Sequence, residues 1–266
     1  MNKFLIAVLF ISNFGFGQDI KYFSEDFEFV TGDIAYLFGD DVKLRDQPGT
    51  TSHVISLLKI GDQIEIVSKT DETMFFEGLE SPWYQVKFQD KTGYILGGLI
   101  SLDKQNHHNL TYLITLKKDD SELFLKTRVI GHGNSYLENS ALLSTHYVST
   151  EAHGNRGLEG VDSIFAINYL SEACGVNGGG IYLFHNGNQL LKAIDYTQVS
   201  DAGVYWFYEE YIFPTDEGGW PGKIIYKKET GETIDDETEW VETKKTERLL
   251  EWSNDQLIPK IEIEEN

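Results

Sequence analysis

Apolar and polar residues alternate in short runs along the first third of the chain. The runs at 42–45, 63–67 and 83–88 repeat apolar side chains at every second position, which is the period of a strand with one buried face. Two further short runs, at 54–58 and 91–95, are separated from these by turn residues such as Pro48-Gly49. The pattern predicts five short strands that close into a small β-barrel. Its core is expected to contain Val42, Leu44, Ile64, Ile66, Val86 and Ile95.

From residue 110 onward the chain is a succession of short apolar runs separated by tight turns. The runs cover 110–116, 122–130, 163–170, 181–185, 189–194, 204–213, 223–228, 232–234 and 239–252. Polar or glycine-containing turns are expected at 117–121, 186–188 and 229–231. We therefore expect an antiparallel meander, a sandwich or a barrel-like sheet, and an all-β protein. A weak helical pattern is present only at 137–143.

Changes in composition divide the chain into regions. Its 266 residues suit two small domains, at about 100–200 residues each. A polar stretch, DKQNHHN, separates the two apolar regions and predicts a linker. The predicted organisation is a signal peptide at 1–17, an N-terminal arm at 18–33, a barrel at 34–102, a linker at 103–109, an all-β domain at 110–257 and an acidic tail at 258–266.

The first 17 residues have the three parts of a secretory signal. A basic start, MNK, precedes an apolar run at 4–11, and Gly17 supplies the small residue before the expected cleavage site. The apolar run is too short to span a bilayer, and no later run reaches that length. The sequence therefore predicts an exported protein, periplasmic or secreted, that is soluble after signal cleavage and is not inserted in the membrane.

The charge balance limits the partners of the protein. It has 22 Lys and Arg residues against 43 Asp and Glu residues, and its net charge is -21. A surface of this sign repels phosphate backbones, so a nucleic-acid partner is not expected. An anionic membrane surface is disfavoured for the same reason, whereas cations and basic partners are tolerated.

Four motifs of the barrel region occur in an order that resembles the bacterial SH3 domain (SH3b). They are V-x-x-R-x-x-P-G-T, K-x-G-D, W-x-x-V and T-G-Y-I, which begin at Val42, Lys59, Trp83 and Thr92. The resemblance covers about the first quarter of the mature chain, and it implies a module that binds cell-wall peptides or docks beside other domains. The chain departs from the family at 70–82, which is longer than a tight hairpin needs and places three large side chains near the usual binding face: Met74, Phe75 and Phe76.

The resemblance also implies that the ligand meets exposed aromatic side chains on the barrel, since these bind at a low entropic cost. The candidate ligand-binding residues are Tyr36, Asp46, Trp83 and Tyr94. The competing interpretation is structural: Trp83, Tyr84 and Tyr94 pack the barrel and meet no ligand.

Cys174 and His185 raise the question of a cysteine peptidase, because SH3b domains accompany such enzymes in cell-wall hydrolases. In the peptidases that the segment at 180–184 resembles, the cysteine opens a helix well upstream and the histidine directly precedes the Gly-Ile-Tyr strand. Here Cys174 lies shortly before that strand, and Gly179 occupies the position of the histidine. A nucleophile needs a base within hydrogen-bond reach, and this order does not provide one. No catalytic residue is assigned.

Metal binding has only weak support in the sequence. His132, His146 and His153 converge on one ion only if their strands pair suitably. The acidic turns at 216–217 and 235–237 lack the regular alternation of a calcium loop, so solvated turns are the better interpretation. No metal and no cofactor is assigned.

The sequence as a whole favours a non-catalytic exported binding protein. Its SH3b module would recognise a peptide, a peptidoglycan fragment or a protein partner. The main alternative is a cell-wall hydrolase, a peptidase with an unrecognised active site in the second domain. A metal-dependent structural protein is a third possibility.

Overall fold

The computed structural model describes residues 20–131, 135–170, 177–201, 204–235 and 240–259. Over these residues the chain forms nineteen strands and one 3-10 turn, and the strands pair in three antiparallel sheets. The predicted all-β class is confirmed. Within the same ranges no helix is long and apolar enough to cross a membrane. The expected signal peptide lies outside the described residues, as do His132, Cys174 and most of the expected acidic tail.

The first sheet has seven strands and curls into a half-barrel, in the order β3-β2-β6-β5-β4-β1-β7. Its strands are β1 (Ile34–Leu37), β2 (Val42–Arg45), β3 (Val54–Leu58), β4 (Gln63–Phe76), β5 (Leu79–Phe88), β6 (Lys91–Leu96) and β7 (Ile100–Ser101), with the 3-10 turn Gly97–Leu99 between the last two. All six predicted core residues are at most 4% exposed. The alternation in the sequence therefore predicted the inner face of this barrel correctly.

The second and third sheets form a sandwich. The four-stranded sheet contains β8 (Lys104–His107), β9 (Leu110–Asp119), β10 (Glu122–Ile130) and β11 (Tyr136–Leu142). The eight-stranded sheet contains β12 (Val148–Gly154), β13 (Ser163–Tyr169), β14 (Gly178–His185), β15 (Leu190–Asp201), β16 (Tyr205–Ile212), β17 (Ile224–Asp235), β18 (Trp240–Ser253) and β19 (Gln256–Ile258). In both sheets sequence neighbours are also spatial neighbours, which confirms the predicted meander. Leu125, Val129, Phe165 and Leu183 belong to the shared core between these sheets.

The helical expectation for 137–143 is wrong, because this segment is the edge strand β11. It pairs with β10 over seven residue pairs, from Ile130↔Tyr136 to Phe124↔Leu142. Ala141 is buried in the core, and the Asn139 side-chain amide donates a hydrogen bond to the Leu190 carbonyl of β15 at 3.0 Å. Pairing and burial thus outweigh a weak local preference.

The turn predicted at 229–231 is also wrong, because β17 runs straight through it. Gly231 lies opposite Trp206 of β16, and a Cβ atom on Gly231 would come within 2.0 Å of the indole ring. A glycine inside a strand can mark the close approach of another group. Here Gly231 makes room for an aromatic side chain, and the chain does not turn.

The segments expected to be an arm and a linker are both packed against the sheets. Residues 103–109 contain β8, which pairs with β9 through a turn at His108. Phe23 of the arm is 1% exposed, and it exchanges two backbone hydrogen bonds with Val148 of β12. The barrel and the sandwich are therefore joined by packed chain.

Candidate binding site

Strand β5 presents opposite faces to the barrel core and to the outside. Tyr84 and Val86 belong to the barrel core, so Trp83 and Gln85 lie on the other face. The register places Tyr94 of β6 opposite Gln85, and Arg45 of β2 on the other side of Tyr94. We call the surface formed by Arg45, Trp83, Gln85 and Tyr94 the outer face of the barrel.

The two aromatic candidates on the outer face differ in exposure. Trp83 is only 5% exposed, and Leu96, directly opposite it in the register, is 1% exposed. Burial of the indole favours the packing interpretation for Trp83. Tyr94 is half-buried, so part of its ring is open to a ligand.

Asp46 directly follows Arg45, the last residue of β2. Its backbone N–H donates to the His53 carbonyl at 3.1 Å, and the residue is exposed. Arg45 is 8% exposed. Its Nη1 atom donates a hydrogen bond of 2.6 Å to the Ser52 carbonyl and so fixes the loop between β2 and β3. Asp46 and Tyr94 therefore both remain accessible to solvent.

Tyr36 lies elsewhere on the barrel surface. It is on β1, which is separated from β5 by β4, and its hydroxyl is 3.5 Å from the Gln63 side chain. The ammonium group of Lys104 lies 3.7 Å from the centre of its ring, a cation–π contact. Tyr36 therefore contacts the start of the second sheet and does not form one surface with Trp83 and Tyr94.

The extended segment at 70–82 is a long hairpin whose tip docks on the sandwich. At the tip, Glu77 and Gly78 both have positive φ angles, of 49° and 79°. The Lys118 N–H of β9 donates to the Glu77 carbonyl at 2.9 Å, and the Lys126 ammonium donates to the Glu77 carboxylate at 2.8 Å. A Cβ atom on Gly78 would come within 1.9 Å of the Lys118 carbonyl oxygen. The tip therefore requires glycine in order to approach β9.

Aromatic rings of the arm connect the barrel core to the sandwich core. Phe23, Phe27, Phe29 and Tyr84 follow one another with ring centres 5.4, 5.2 and 5.5 Å apart. Phe23 belongs to the sandwich core, Phe29 and Tyr84 belong to the barrel core, and Phe27 packs against both. The sequence signal for this contact is the apolar spacing in YFSEDFEF, a segment that was predicted only as part of the N-terminal arm.

A cleft of about 460 Å³ lies at one end of the sandwich, and its lining includes His107, His108 and His185. His185 is 6% exposed, and its Nδ1 atom is 3.7 Å from an Asp162 carboxylate oxygen. Burial lowers the pKa of His185, although the nearby Asp162 acts in the opposite direction. Cys174, the other half of the pair considered from the sequence, lies outside the described residues.

His146 and His153, two of the three histidines considered as metal ligands, lie beside separate carboxylates. His146 is 3.3 Å from Glu25, and His153 is 3.6 Å from Glu151. In the part of the chain that the structure describes, no group of three or more His, Cys, Asp or Glu residues is placed to hold a metal ion.

Comparison with known proteins identifies one region of the chain. Residues 40–101 match the family model of the bacterial SH3 domain, and this match confirms the resemblance seen in the four motifs. The match spans β2 to β7 and omits β1 and the arm. No curated protein and no solved structure matches the chain. A bacterial SH3 domain indicates a binding module.

Proposed function

We propose that this chain is a non-catalytic, exported peptide-binding protein of the cell envelope. The observation that carries the proposal is the bacterial SH3 match at 40–101, on a barrel that leaves Asp46 exposed and Tyr94 only half-buried. Export rests on the leader predicted at 1–17. The peptide ligand is carried either by the cell wall or by a protein partner.

The two accessible candidates, Asp46 and Tyr94, suit a peptide with a cationic end or side chain. Asp46 offers a carboxylate, and Tyr94 offers a ring for stacking and a polar hydroxyl. Asp46 lies in the loop between β2 and β3, which Arg45 fixes by its hydrogen bond to the Ser52 carbonyl. The net charge of -21 also favours a ligand with basic groups.

Co-sedimentation with purified peptidoglycan tests the proposal for a wall peptide, and capture from envelope extracts tests it for a protein partner. The informative variant is Asp46→Lys/Tyr94→Ala. Its matched control is Asp119→Lys/Tyr208→Ala, which changes an exposed acid and an exposed tyrosine on the sandwich. We expect the barrel variant to lose at least about tenfold in retention, since a charge pair and an aromatic contact are removed, and the control to bind like the wild type.

Each outcome has one interpretation. Retention on peptidoglycan identifies a wall peptide, and retention of extract proteins alone identifies a protein-borne peptide. Equal retention of the barrel variant and the control variant shows that Asp46 and Tyr94 do not contribute to binding and refutes the proposed site on the barrel. Release of soluble wall fragments by the wild type, measured by zymography, overturns the non-catalytic assignment in favour of a hydrolase.

A further inference from the structure

Three basic side chains lie on the same side of the barrel sheet around Tyr94. Arg45 belongs to the outer face, and it pairs with Tyr94 of β6 in the register. Lys43 and Lys87 lie on that side as well, because they alternate with the core residues of β2 and β5. Both lysines are exposed, and β6 runs between their two strands. The half-buried ring of Tyr94 is therefore flanked by cations, although the chain as a whole has a net charge of -21.

The two lysines are not neutralised by the described part of the chain. Lys43 and Lys87 make no hydrogen bond, ion pair or ring contact through their side chains with the residues that the structure describes. Glu65 of β4 lies opposite Lys87 in the register, but the two side chains do not form an ion pair. Elsewhere on the barrel, by contrast, the Lys59 ammonium lies 2.6 Å from an Asp41 carboxylate oxygen. The lysines beside the outer face therefore remain available to an external anion.

Arg45 is a buried cation without a carboxylate partner. It is 8% exposed, and among the described residues its one side-chain hydrogen bond runs to the neutral Ser52 carbonyl. Its Nε and Nη2 atoms have no acceptor there, and neither belongs to the buried polar atoms that lack a partner, so both remain in contact with solvent. Asp46, the next residue, forms no ion pair with it. A buried charge of this kind is stabilised when an anion pairs with it.

A carboxylate is the anion that fits these donors. The planar guanidinium binds a carboxylate through two parallel hydrogen bonds, and Nε and Nη2 of Arg45 are free to supply such a pair. On ordinary strand spacings, Lys43 lies about 7 Å from Arg45 along β2, and Lys87 lies about 12 Å away across β6. Charges are screened beyond about 8 Å at physiological salt. Lys43 therefore attracts a group bound at Arg45 more strongly than Lys87 does.

We propose that the outer face binds a carboxylate group of the ligand at Arg45, beside the ring of Tyr94 and within the field of Lys43. The proposal deepens the peptide-binding function, and its assignment to a peptide rests on that function. A peptide that also places a cationic group at Asp46 is zwitterionic. The outer face should therefore distinguish a peptide with a free carboxylate from the same peptide with that group amidated.

Side-chain NMR of the nitrogen-15-labelled chain tests the site directly. The chain has four arginines, and two that pair with carboxylates serve as internal controls: Arg128 with Glu138, and Arg156 with Asp216. The probe is N-acetylalanine, which carries a single carboxylate, and its neutral amide is the control at matched ionic strength. We expect the acid alone to shift the Arg45 Nε–H signal saturably. An Arg45 signal that responds equally to acid and amide, or to neither, overturns the proposal.

Two further probes identify the source of the anion. The α-amide of N-acetylglutamate presents a side-chain carboxylate in place of a terminal one, and inorganic phosphate presents a different anion. Tighter binding of N-acetylalanine supports recognition of a peptide carboxyl terminus, and tighter binding of the glutamate derivative supports recognition of an acidic side chain. A higher affinity for phosphate than for both carboxylates overturns the carboxylate assignment.

Substitutions on the barrel locate the site. Lys43→Gln should weaken the affinity for N-acetylalanine about two- to threefold, and Lys87→Gln should weaken it less. The matched control is Lys192→Gln, which removes one exposed charge from β15 of the sandwich and should leave the affinity unchanged. Arg45→Lys keeps the charge but removes the planar fork, so it should weaken the affinity at least about tenfold. If Arg45→Lys does not fold, Lys43→Gln decides, and an affinity equal to that of Lys192→Gln overturns the proposal.

The retention assay separates this proposal from the one above. If peptidoglycan or an extract protein is retained but the Arg45 signal does not respond to N-acetylalanine, the carboxylate site fails and the peptide-binding function stands. If the Arg45 signal responds but neither envelope ligand is retained, the carboxylate site stands and the proposed function fails.

Discussion

Substitution of Gly78 by alanine tests how the long hairpin is fastened to the sandwich. The new Cβ atom would lie 1.9 Å from the Lys118 carbonyl oxygen and 2.9 Å from its carbon. Relief of this overlap requires the tip to move away from β9 by more than 1 Å, since ordinary Cβ contacts begin near 3.4 Å. That movement breaks the 2.9 Å hydrogen bond between the Lys118 N–H and the Glu77 carbonyl.

The expected cost has three sources. A left-handed backbone at a residue with a Cβ costs about 1–2 kcal/mol. The lost backbone hydrogen bond costs about 1 kcal/mol. The ion pair between Lys126 and Glu77, whose side chains are 12% and 28% exposed, adds up to about 1 kcal/mol. Gly78→Ala should therefore lower the free energy of unfolding by about 3 kcal/mol.

Gly160→Ala is the matched control. Gly160 has a φ of 76°, close to the 79° of Gly78, but nothing lies within 4 Å of the added Cβ atom. It should lose only the backbone term, about 1–2 kcal/mol. Urea unfolding followed by tryptophan fluorescence measures both values. Equal losses in the two variants would refute the conclusion that the hairpin tip is bound tightly to β9.

Three further predictions concern the packing. Burial lowers the pKa of three imidazoles in the folded protein: those of His107, His153 and His185. As the pH drops below about 6.5, these imidazoles become protonated more readily in the unfolded chain than in the folded protein, so the free energy of unfolding should fall. Thermal melts from pH 8 to pH 4.5 measure this, and a flat profile contradicts it. Tyr112→Phe removes a buried 2.5 Å hydrogen bond with the Ser163 hydroxyl and should lower the free energy of unfolding by about 1–2 kcal/mol. Adding Ser163→Ala to Tyr112→Phe should cost less than Ser163→Ala costs in the wild type, because the hydrogen bond is already absent. In urea unfolding, Phe23→Ala should cost about 3–5 kcal/mol, whereas the neighbouring Ile20→Ala, at a position 66% exposed, should cost almost nothing.

Local patterns predicted the barrel core and the meander well. Val42 and Leu44, like Ile64 and Ile66, alternate with polar neighbours, and this period alone assigns them to the inner face. The turn at 186–188 was predicted from its Asn-Gly-Asn sequence, and it is confirmed because β14 ends at His185 and β15 begins at Leu190. Such features depend on a few adjacent residues, so one sequence is enough to see them.

Features that depend on distant contacts were not predicted. Gly231 looked like a turn residue because the sequence does not show that Trp206 covers it. The insertion at 70–82 was recognised, but its docking on Lys118 joins residues about 40 positions apart. For Trp83 the sequence left packing and ligand binding both open, and its 5% exposure favours packing.

The central claim is that the barrel binds a peptide and does not cleave it. Calorimetric titration of the intact chain with soluble fragments of purified peptidoglycan, followed by mass spectrometry of the same mixture, tests both halves at once. We expect saturable heat that is lost in Asp46→Lys/Tyr94→Ala, with every fragment mass unchanged. Cleavage products in the wild-type mixture refute the non-catalytic assignment, and equal saturable heats from the wild type and the variant refute binding at the barrel.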